Sequence, residues 1–139
     1  MGRVINPASA SKERHELSMA VIVAIRELMQ QTQVDDHTRD LASFISVTLE
    51  SIHKSIDVSV VAWEKRGYWV KADRFRLEWA WSERLGNEMR TAVLNEDWES
   101  VARVATQIAV KLQSVTVPQR NRIGMPWVGA WEKLLREGG

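Results

Sequence analysis

The chain has 139 residues, of which 45% are hydrophobic and 27% are charged, and its net charge is +1. This composition is that of a globular domain and excludes a disordered chain, and the near-neutral charge excludes a global attraction to nucleic acid or anionic membranes. The sequence contains no cysteine, which excludes disulfides, thiolate metal sites and cysteine nucleophiles.

The length suits one helical domain covering residues 1–139. No basic segment followed by an apolar core and a small-residue cleavage site opens the sequence. The longest apolar run near the start, residues 19–25, is far shorter than the roughly 20 residues needed to cross a bilayer. We therefore expect a soluble, cytoplasmic protein.

The first predicted element is an extended arm over residues 1–8, which show no hydrophobic period. Ser9 and Ser11 are candidate N-caps for a first helix, since a side-chain hydroxyl can accept a hydrogen bond from a free backbone N–H. Apolar residues then recur at three- and four-residue spacing as far as Met29, which indicates an amphipathic helix.

The second and third helices are predicted to form a tryptophan-rich hairpin. Asp35 or Asp36 caps the second helix, whose apolar stripe continues to Gly67, a residue that can adopt the positive φ that ends a helix. The third helix is predicted over residues 68–94, with a broad apolar face. That face is made of two stripes: Tyr68, Ala72, Phe75, Trp79, Ser82, Gly86, Met89 and Val93, and Val70, Leu77, Trp81 and Leu85.

A row of small residues on the second helix, Ser51, Ser55 and Ser59, is spaced every four positions. Such a row allows another helix to approach closely. If the hairpin folds back at Gly67, the large Phe75 and Trp79 of the third helix should face this row, because large side chains interdigitate with small ones.

The remainder of the chain is also predicted to be helical. Asn95 is expected to cap a fourth helix that ends near Ser114, and residues 115–126 form a basic connecting loop. Pro126 suits the start of a short helix over residues 127–136. The predicted fold is therefore all-α, a four-helix bundle-like domain with a short additional C-terminal helix.

No motif predicts catalysis or metal binding. Glu50-x-x-His53 has the spacing used in ferritin-like bundles, but those need two copies and this chain has one. Charges along the third helix alternate in sign at three- and four-residue spacing, which is typical of a solvent-exposed face. Gly-rich phosphate loops and nucleophile elbows are missing from the sequence. We expect a protein that is not an enzyme and has no cofactor or metal.

Tryptophan is the unusual residue, accounting for seven of the ten aromatic side chains. Trp69 and Tyr68 lie within residues 65–76, which hold five basic residues and one acid. Three interpretations remain open: a protein interface enriched in Trp, Tyr and Arg, a grip on single-stranded nucleic acid, or arginines stacked on half-buried tryptophans. The exposure of the tryptophans distinguishes an interface from a core.

The candidate partner-binding residues combine this stretch with the basic loop: Lys65, Arg66, Tyr68, Trp69, Lys71, Arg74, Arg76, Arg120 and Arg122. Arg3 in the predicted arm is a further docking candidate. We expect a non-enzymatic subunit of a larger assembly that binds a protein partner or itself. The alternative is a small helical subunit that binds nucleic acid. We expect no membrane association and no small-molecule substrate.

Two segments carry a resemblance to a known group. The opening Gly-Arg-Val-Ile-Asn of residues 2–6 and the Ala-Trp-Glu-Lys-Arg-Gly-Tyr-Trp-Val-Lys-Ala-Asp-Arg of residues 62–74 resemble a family of small uncharacterised all-helical bacterial proteins. The resemblance implies no activity and assigns no site. In size and helical character the chain is also similar to the small subunits of CRISPR effector complexes, which line a nucleic-acid groove, although it shares no motif with them.

Overall fold

The structure, a computed structural model, describes residues 7–137. Five helices follow one another in this part of the chain: α1 (Pro7–Met29), α2 (Asp36–Lys65), α3 (Trp69–Leu94), α4 (Trp98–Lys111) and α5 (Ala130–Arg136). Turns and loops connect them, and residues 7–137 contain no strand. The predicted all-α class, with four longer helices and a short C-terminal one, is confirmed.

The central helix is α2, against which α1, α3 and α5 all pack, while α4 packs mainly against α3. Its predicted apolar stripe is buried as expected, with Leu41, Ile45, Leu49 and Ile52 fully inaccessible to solvent. These residues join side chains of the other four helices in one hydrophobic core. Each fully buried aliphatic side chain of this kind stabilises the fold by roughly 1.5–3 kcal/mol.

The predicted start of α2 is confirmed at Asp35. Its carboxylate accepts a hydrogen bond from the Thr38 backbone N–H at 3.1 Å, and the Thr38 hydroxyl accepts one from the Asp35 N–H at 3.3 Å. This reciprocal pair satisfies two backbone donors that the first turn of a helix leaves free. The same bond from Thr38 lowers the pKa of Asp35 below its ordinary value, because it favours the ionised carboxyl.

The predicted arm over residues 1–8 is too long, since α1 already begins at Pro7. Proline suits the first turn of a helix, where the backbone N–H that it lacks would have no partner. Ser9 and Ser11 therefore lie inside α1, and the prediction that one of them caps it is wrong. Arg3 and the rest of residues 1–6 lie outside the described part of the chain.

The predicted boundaries after α3 need correction. Asn95 closes α3, with its backbone N–H donating to Thr91 O at 3.1 Å, and the cap of α4 is instead Asp97, whose side chain accepts from the Ser100 N–H. The short helix begins at Ala130 rather than at residue 127, because Gly129 adopts a left-handed φ of +84° that interrupts the helix. Since α4 ends at Lys111, the connecting segment covers residues 112–129 instead of 115–126.

The serine row meets a cation that the sequence analysis did not place there. Ser55 and Ser59 are buried but Ser51 is exposed. Arg14 of α1 lies against the two buried serines and against Phe75 and Trp79 of α3. The predicted meeting of serines and aromatic rings therefore takes place through a guanidinium group.

The short helix α5 is fixed by a residue of a distant helix. Gly129 has no side chain with which to cap α5, and the carboxylate of Asp40 on α2 accepts the Gly129 N–H at 3.1 Å and the Trp131 N–H at 2.9 Å. One acidic side chain thus satisfies two free donors of α5 and also complements the positive end of its dipole. Asp40 therefore couples the C-terminal segment to the bundle.

We expect Asp40→Ala to release α5 without unfolding the bundle. Hydrogen bonds to a charged acceptor contribute roughly 1.5–3 kcal/mol when buried, so about 1.4 kcal/mol is expected at this partly exposed site. Hydrogen exchange of the Gly129 and Trp131 amides should accelerate about tenfold, whereas the α2 amides keep their protection. Glu132→Ala, on the exposed side of α5, is the control. Unchanged exchange at both amides in Asp40→Ala would contradict the anchoring role.

None of the helices in residues 7–137 combines the length and the apolar character that crossing a membrane requires.

Candidate interaction surface at the α2–α3 turn

The turn between α2 and α3 reverses the chain within three residues. Gly67 takes a φ of +79°, which costs glycine little and other residues more. The backbone N–H groups of Gly67 and Tyr68 donate to Glu64 O and Trp63 O, at 3.0 and 2.9 Å, and so satisfy carbonyls that the end of α2 leaves free. This tight reversal places Trp69 at the first position of α3, at one end of the bundle.

Large apolar side chains are exposed directly after this turn. Tyr68 is 53% exposed, Trp69 60% and Val70 66%, and Leu77 further along α3 is 79% exposed. Leu77 follows Val70 by seven residues and therefore lies on the same side of the helix. The predicted apolar stripe of Val70, Leu77, Trp81 and Leu85 is buried at Trp81 and Leu85, and the prediction is wrong for Val70 and Leu77. Trp69, Val70 and Leu77 lie within roughly 100° of one another around α3 and form an apolar patch, and Tyr68 directly precedes the helix.

The basic residues around this patch divide into paired and unpaired groups. Arg76 contacts Glu64 at 2.8 Å and Asp73 at 3.1 Å, and the hydrogen bond with Glu64 raises the pKa of Arg76 above its ordinary value. The ammonium of Lys71 lies 4.5 Å from the centre of the Trp63 ring, a cation–π contact. Arg76 is therefore not available to a partner without first breaking its ion pairs.

Three further cations complete the surface. Lys65, Arg66 and Arg74 are exposed, and within residues 7–137 none of them forms an ion pair. We name the hairpin-tip surface as the exposed residues that are not tied to an acid: Lys65, Arg66, Tyr68, Trp69, Val70, Lys71, Arg74 and Leu77. Its apolar centre and cationic surround have the organisation of a protein interface, which combines an apolar core with a polar rim.

The hairpin-tip surface rests on a small aromatic core of its own. Trp63 and Phe75 pack edge to face with ring centres 4.8 Å apart, and Phe75 also contacts Trp79. These rings cover a second hydrophobic cluster formed by Ile56, Val60 and Ala72, separate from the main core. The hairpin-tip surface is therefore backed by packed aromatic side chains.

Exposure separates the tryptophans clearly. Trp81 and Trp127 are buried, and the others except Trp69 are half-buried: Trp63, Trp79, Trp98 and Trp131. Trp69 is the single tryptophan with more than half of its surface in solvent. Most of the tryptophan content thus builds the core and its edges, and Trp69 alone needs another explanation.

The structure separates the predicted partner-binding residues into two groups. Arg120 and Arg122 are exposed in the segment 112–129, and Trp127 of the same segment packs against His37 and Phe44 near the start of α2. The hairpin-tip surface lies at the other end of the same helix, which spans about 45 Å at 1.5 Å per residue over its 30 residues. No contact in residues 7–137 joins the two arginines to the hairpin tip.

The histidine of the Glu50-x-x-His53 pair belongs to an ionic cluster between α2 and α3. Its Nε2 lies 3.1 Å from a carboxylate oxygen of Glu83 and 3.9 Å from one of Asp57. In the described residues, no three His, Asp or Glu side chains are grouped so that they could hold a metal ion. The cluster is an inter-helix contact at the surface.

Comparison with known proteins gives no relative for this chain: no family model, no curated protein and no solved structure matches it. The resemblance to small bacterial helical proteins therefore stays a prediction.

Proposed function

We propose that the protein is a non-enzymatic interaction subunit that binds a protein partner through the hairpin-tip surface. The observation that carries this proposal is Trp69, which is 60% exposed beside Tyr68 and Val70 on a packed aromatic support. Exposing large rings and aliphatic chains to water costs roughly 25 cal/mol per Å² of apolar surface. A partner that covers them recovers this free energy, and Trp and Tyr are the residue types that dominate measured interface energies.

The aliphatic residues favour a protein partner over nucleic acid. Val70 and Leu77 are more exposed than Trp69 and offer neither charge nor a ring on which a base can stack. A protein surface with an apolar pocket buries all of these side chains together. The cations Lys65, Arg66 and Arg74 then specify acidic groups at the rim of the partner, where charge mainly sets orientation and association rate.

The test is the effect of Trp69→Ala on binding. We expect the purified protein to form a complex in solution, measured by its native mass and by capture with the immobilised chain, and we expect Trp69→Ala to weaken that complex at least tenfold, equivalent to about 1.4 kcal/mol. Unfolding free energy should change little, because Trp69 contributes little to the core. Leu135→Ala, an exposed apolar residue on α5, is the matched control. A strictly monomeric protein that captures nothing contradicts the proposal.

Nucleic-acid binding is the second candidate, and the three unpaired cations beside two exposed rings favour it. Three phosphate contacts predict that log K falls with log salt at a slope of about −2 for single strands. A mobility-shift titration with a single-stranded oligonucleotide measures this slope in the wild type and in Lys65→Gln/Arg66→Gln/Arg74→Gln. Absence of a shift at low salt eliminates this candidate.

A further inference from the structure

The end of the bundle opposite the hairpin tip carries a groove with uncharged walls. It lies between the α1–α2 loop and the start of α4, with a volume of about 200 Å³. Its lining includes Met29 and Val34, which are 48% and 47% exposed, and the half-buried Trp98. Sites for drug-sized ligands usually measure about 300–1,000 Å³. This groove is therefore sized for one or two protein side chains.

Acidic residues are the sequence neighbours of two residues that line the groove, Val34 and Trp98. Asp35 and Asp36 directly follow Val34, and Asp97 and Glu99 stand on either side of Trp98 in the sequence. Residues 33–39 and 95–99 contain five acids and one base, Arg39, so their formal charge is 1 − 5 = −4. We call these residues and the groove the acidic end. Asp35 and Asp97 cap their helices, and those hydrogen bonds hold the pKa of each carboxyl below its ordinary value, so both stay ionised.

The two ends of the molecule carry formal charges of opposite sign and equal magnitude. Residues 65–76 contain five bases and one acid, giving 5 − 1 = +4, against −4 at the acidic end. The whole chain carries only +1, so this is a separation of charge along the bundle. Each end also exposes apolar side chains, as a projecting patch at the tip and as a groove at the acidic end. Interfaces require this combination of shape and charge.

We infer that the partner of the hairpin-tip surface is the acidic end of a second copy of this chain, so that copies associate head to tail. This inference rests on the proposed function and names its partner. Trp69 or Tyr68 of one copy enters the groove between Val34 and Trp98 of the next. Lys65, Arg66 and Arg74 face Glu99 and Asp36; Asp36 contacts Arg39 at 3.4 Å, but Arg39 is held more closely by Glu96 at 2.7 Å, so Asp36 can exchange its partner. One copy cannot join its own ends, because the length of α2, about 45 Å, separates them.

The symmetry of the assembly follows from this pairing. Each copy contributes a different surface to each contact, so the interface is heterologous and each added copy again presents one free tip and one free acidic end. Assembly therefore continues beyond a dimer, either into a ring or into an open filament. Sedimentation velocity of the wild type should show a mass that rises with protein concentration past that of two chains.

Two charge-reversal variants test the inference. The tip variant, Lys65→Glu/Arg66→Glu/Arg74→Glu, changes its end from +4 to −2. The end variant, Asp36→Lys/Glu99→Lys, changes the acidic end from −4 to 0 and leaves the caps Asp35 and Asp97 intact, so that α2 and α4 still form. We expect each variant alone to associate at least tenfold more weakly than the wild type. Their helical circular dichroism should match that of the wild type.

The decisive measurement is the mixture of the two variants. The end variant keeps a native tip and the tip variant keeps a native acidic end, so one native interface forms between them and growth stops there. A one-to-one heterodimer is expected, and it should weaken when salt rises from about 0.1 M to about 1 M, where the Debye length falls from about 10 Å to about 3 Å. Lys54→Glu/Arg84→Glu/Lys111→Glu, which changes the net charge by −6 as the tip variant does but at residues outside both surfaces, should assemble like the wild type.

Three results overturn head-to-tail association: a wild type that stays monomeric at the highest attainable concentration, association that neither variant weakens, or a mixture that fails to pair. The proposed function fails separately. If the wild type is monomeric but captures another protein in a manner abolished by Trp69→Ala, the tip still binds a protein and only the second copy is excluded as its partner.

Discussion

Replacing Arg14 by alanine should cost about 3 kcal/mol of unfolding free energy. Arg14 is only 8% exposed, and its Nη1 donates to Ser55 O, Ser55 Oγ and Ser59 Oγ at 3.3, 3.2 and 3.4 Å. Hydrogen bonds from a charged donor contribute roughly 1.5–3 kcal/mol net, and the long aliphatic part of the side chain adds packing that alanine removes. Burial lowers the pKa of Arg14 and the charge of Glu78 partly offsets that effect.

The rings of Phe75 and Trp79 add to the loss of unfolding free energy expected for Arg14→Ala. The guanidinium carbon lies 4.8 Å from the centre of the Phe75 ring and 5.8 Å from that of Trp79, so one cation joins α1 to α3 as well as to α2. A desolvated cation–π contact contributes up to about 2 kcal/mol. Chemical denaturation measures the total loss of unfolding free energy. The near-ultraviolet circular dichroism signal of the tryptophans should also change, because Trp79 loses its neighbour.

Two control variants separate the contributions of Arg14. Lys12→Ala, exposed on the same helix, should change stability by less than about 0.5 kcal/mol. Arg14→Met fills the space without charge and should recover about half of the loss, since replacing a buried charge by an apolar side chain of similar volume removes its desolvation cost. If Arg14→Ala unfolds at the wild-type denaturant midpoint, the three-helix junction does not stabilise the fold.

The second large effect is expected at Gly86, where the backbone of α3 lies directly against α2. A Cβ atom at this position would lie 3.1 Å from the Cβ of Leu49 and 3.7 Å from the carbonyl oxygen of Ser46. Leu49 is fully buried and cannot move aside, and the Ser46 oxygen belongs to the backbone of α2. A single methyl group requires a shift of a few tenths of an ångström, and a branched side chain requires the helices to separate.

Gly86→Val should therefore destabilise the protein by about 3 kcal/mol, the upper part of the usual range for an overpacked core. The control is Ala80→Val on the exposed side of the same helix, which carries only the lower helix propensity of valine, under about 0.7 kcal/mol. Urea denaturation of both variants gives the difference directly. Equal stability of the two variants would show that the α2–α3 contact accommodates a side chain at position 86.

The sequence by itself determined the class of fold, because hydrophobic period is a local property. Leu41, Ile45, Leu49 and Ile52 follow one another on one side of any helix that these residues form, whatever packs against it. The capping position of Asp35 is likewise local, since its partner Thr38 is three residues away. Boundaries failed where two signals compete within a few residues, as at Asn95 and Asp97, because either side chain can cap and only backbone geometry selects one.

Part of the candidate site could also be predicted because its residues are close together in the sequence. The proximity of Trp69 to Lys65 and Arg74 follows from a tight turn at Gly67, so the sequence located the hairpin tip. It also added Arg120 and Arg122, whose segment leads to Trp127 near the start of α2 and not to the hairpin tip. Spacing along the chain carries no information about separation in space across independent elements.

Only the tertiary structure decided which apolar residues stay exposed to solvent. It also decided that the basic and acidic residues lie at opposite ends of the bundle. Val70 and Leu77 have the spacing of a core stripe, yet the helices that pack against α3 cover its other side. The burial of Arg14 against Ser55 depends on how α1 lies on α2, a contact between residues 41 positions apart. The charge separation arises likewise, because the salt bridge between Arg39 and Glu96 brings the acids that follow α3 to the start of α2, far from the hairpin tip.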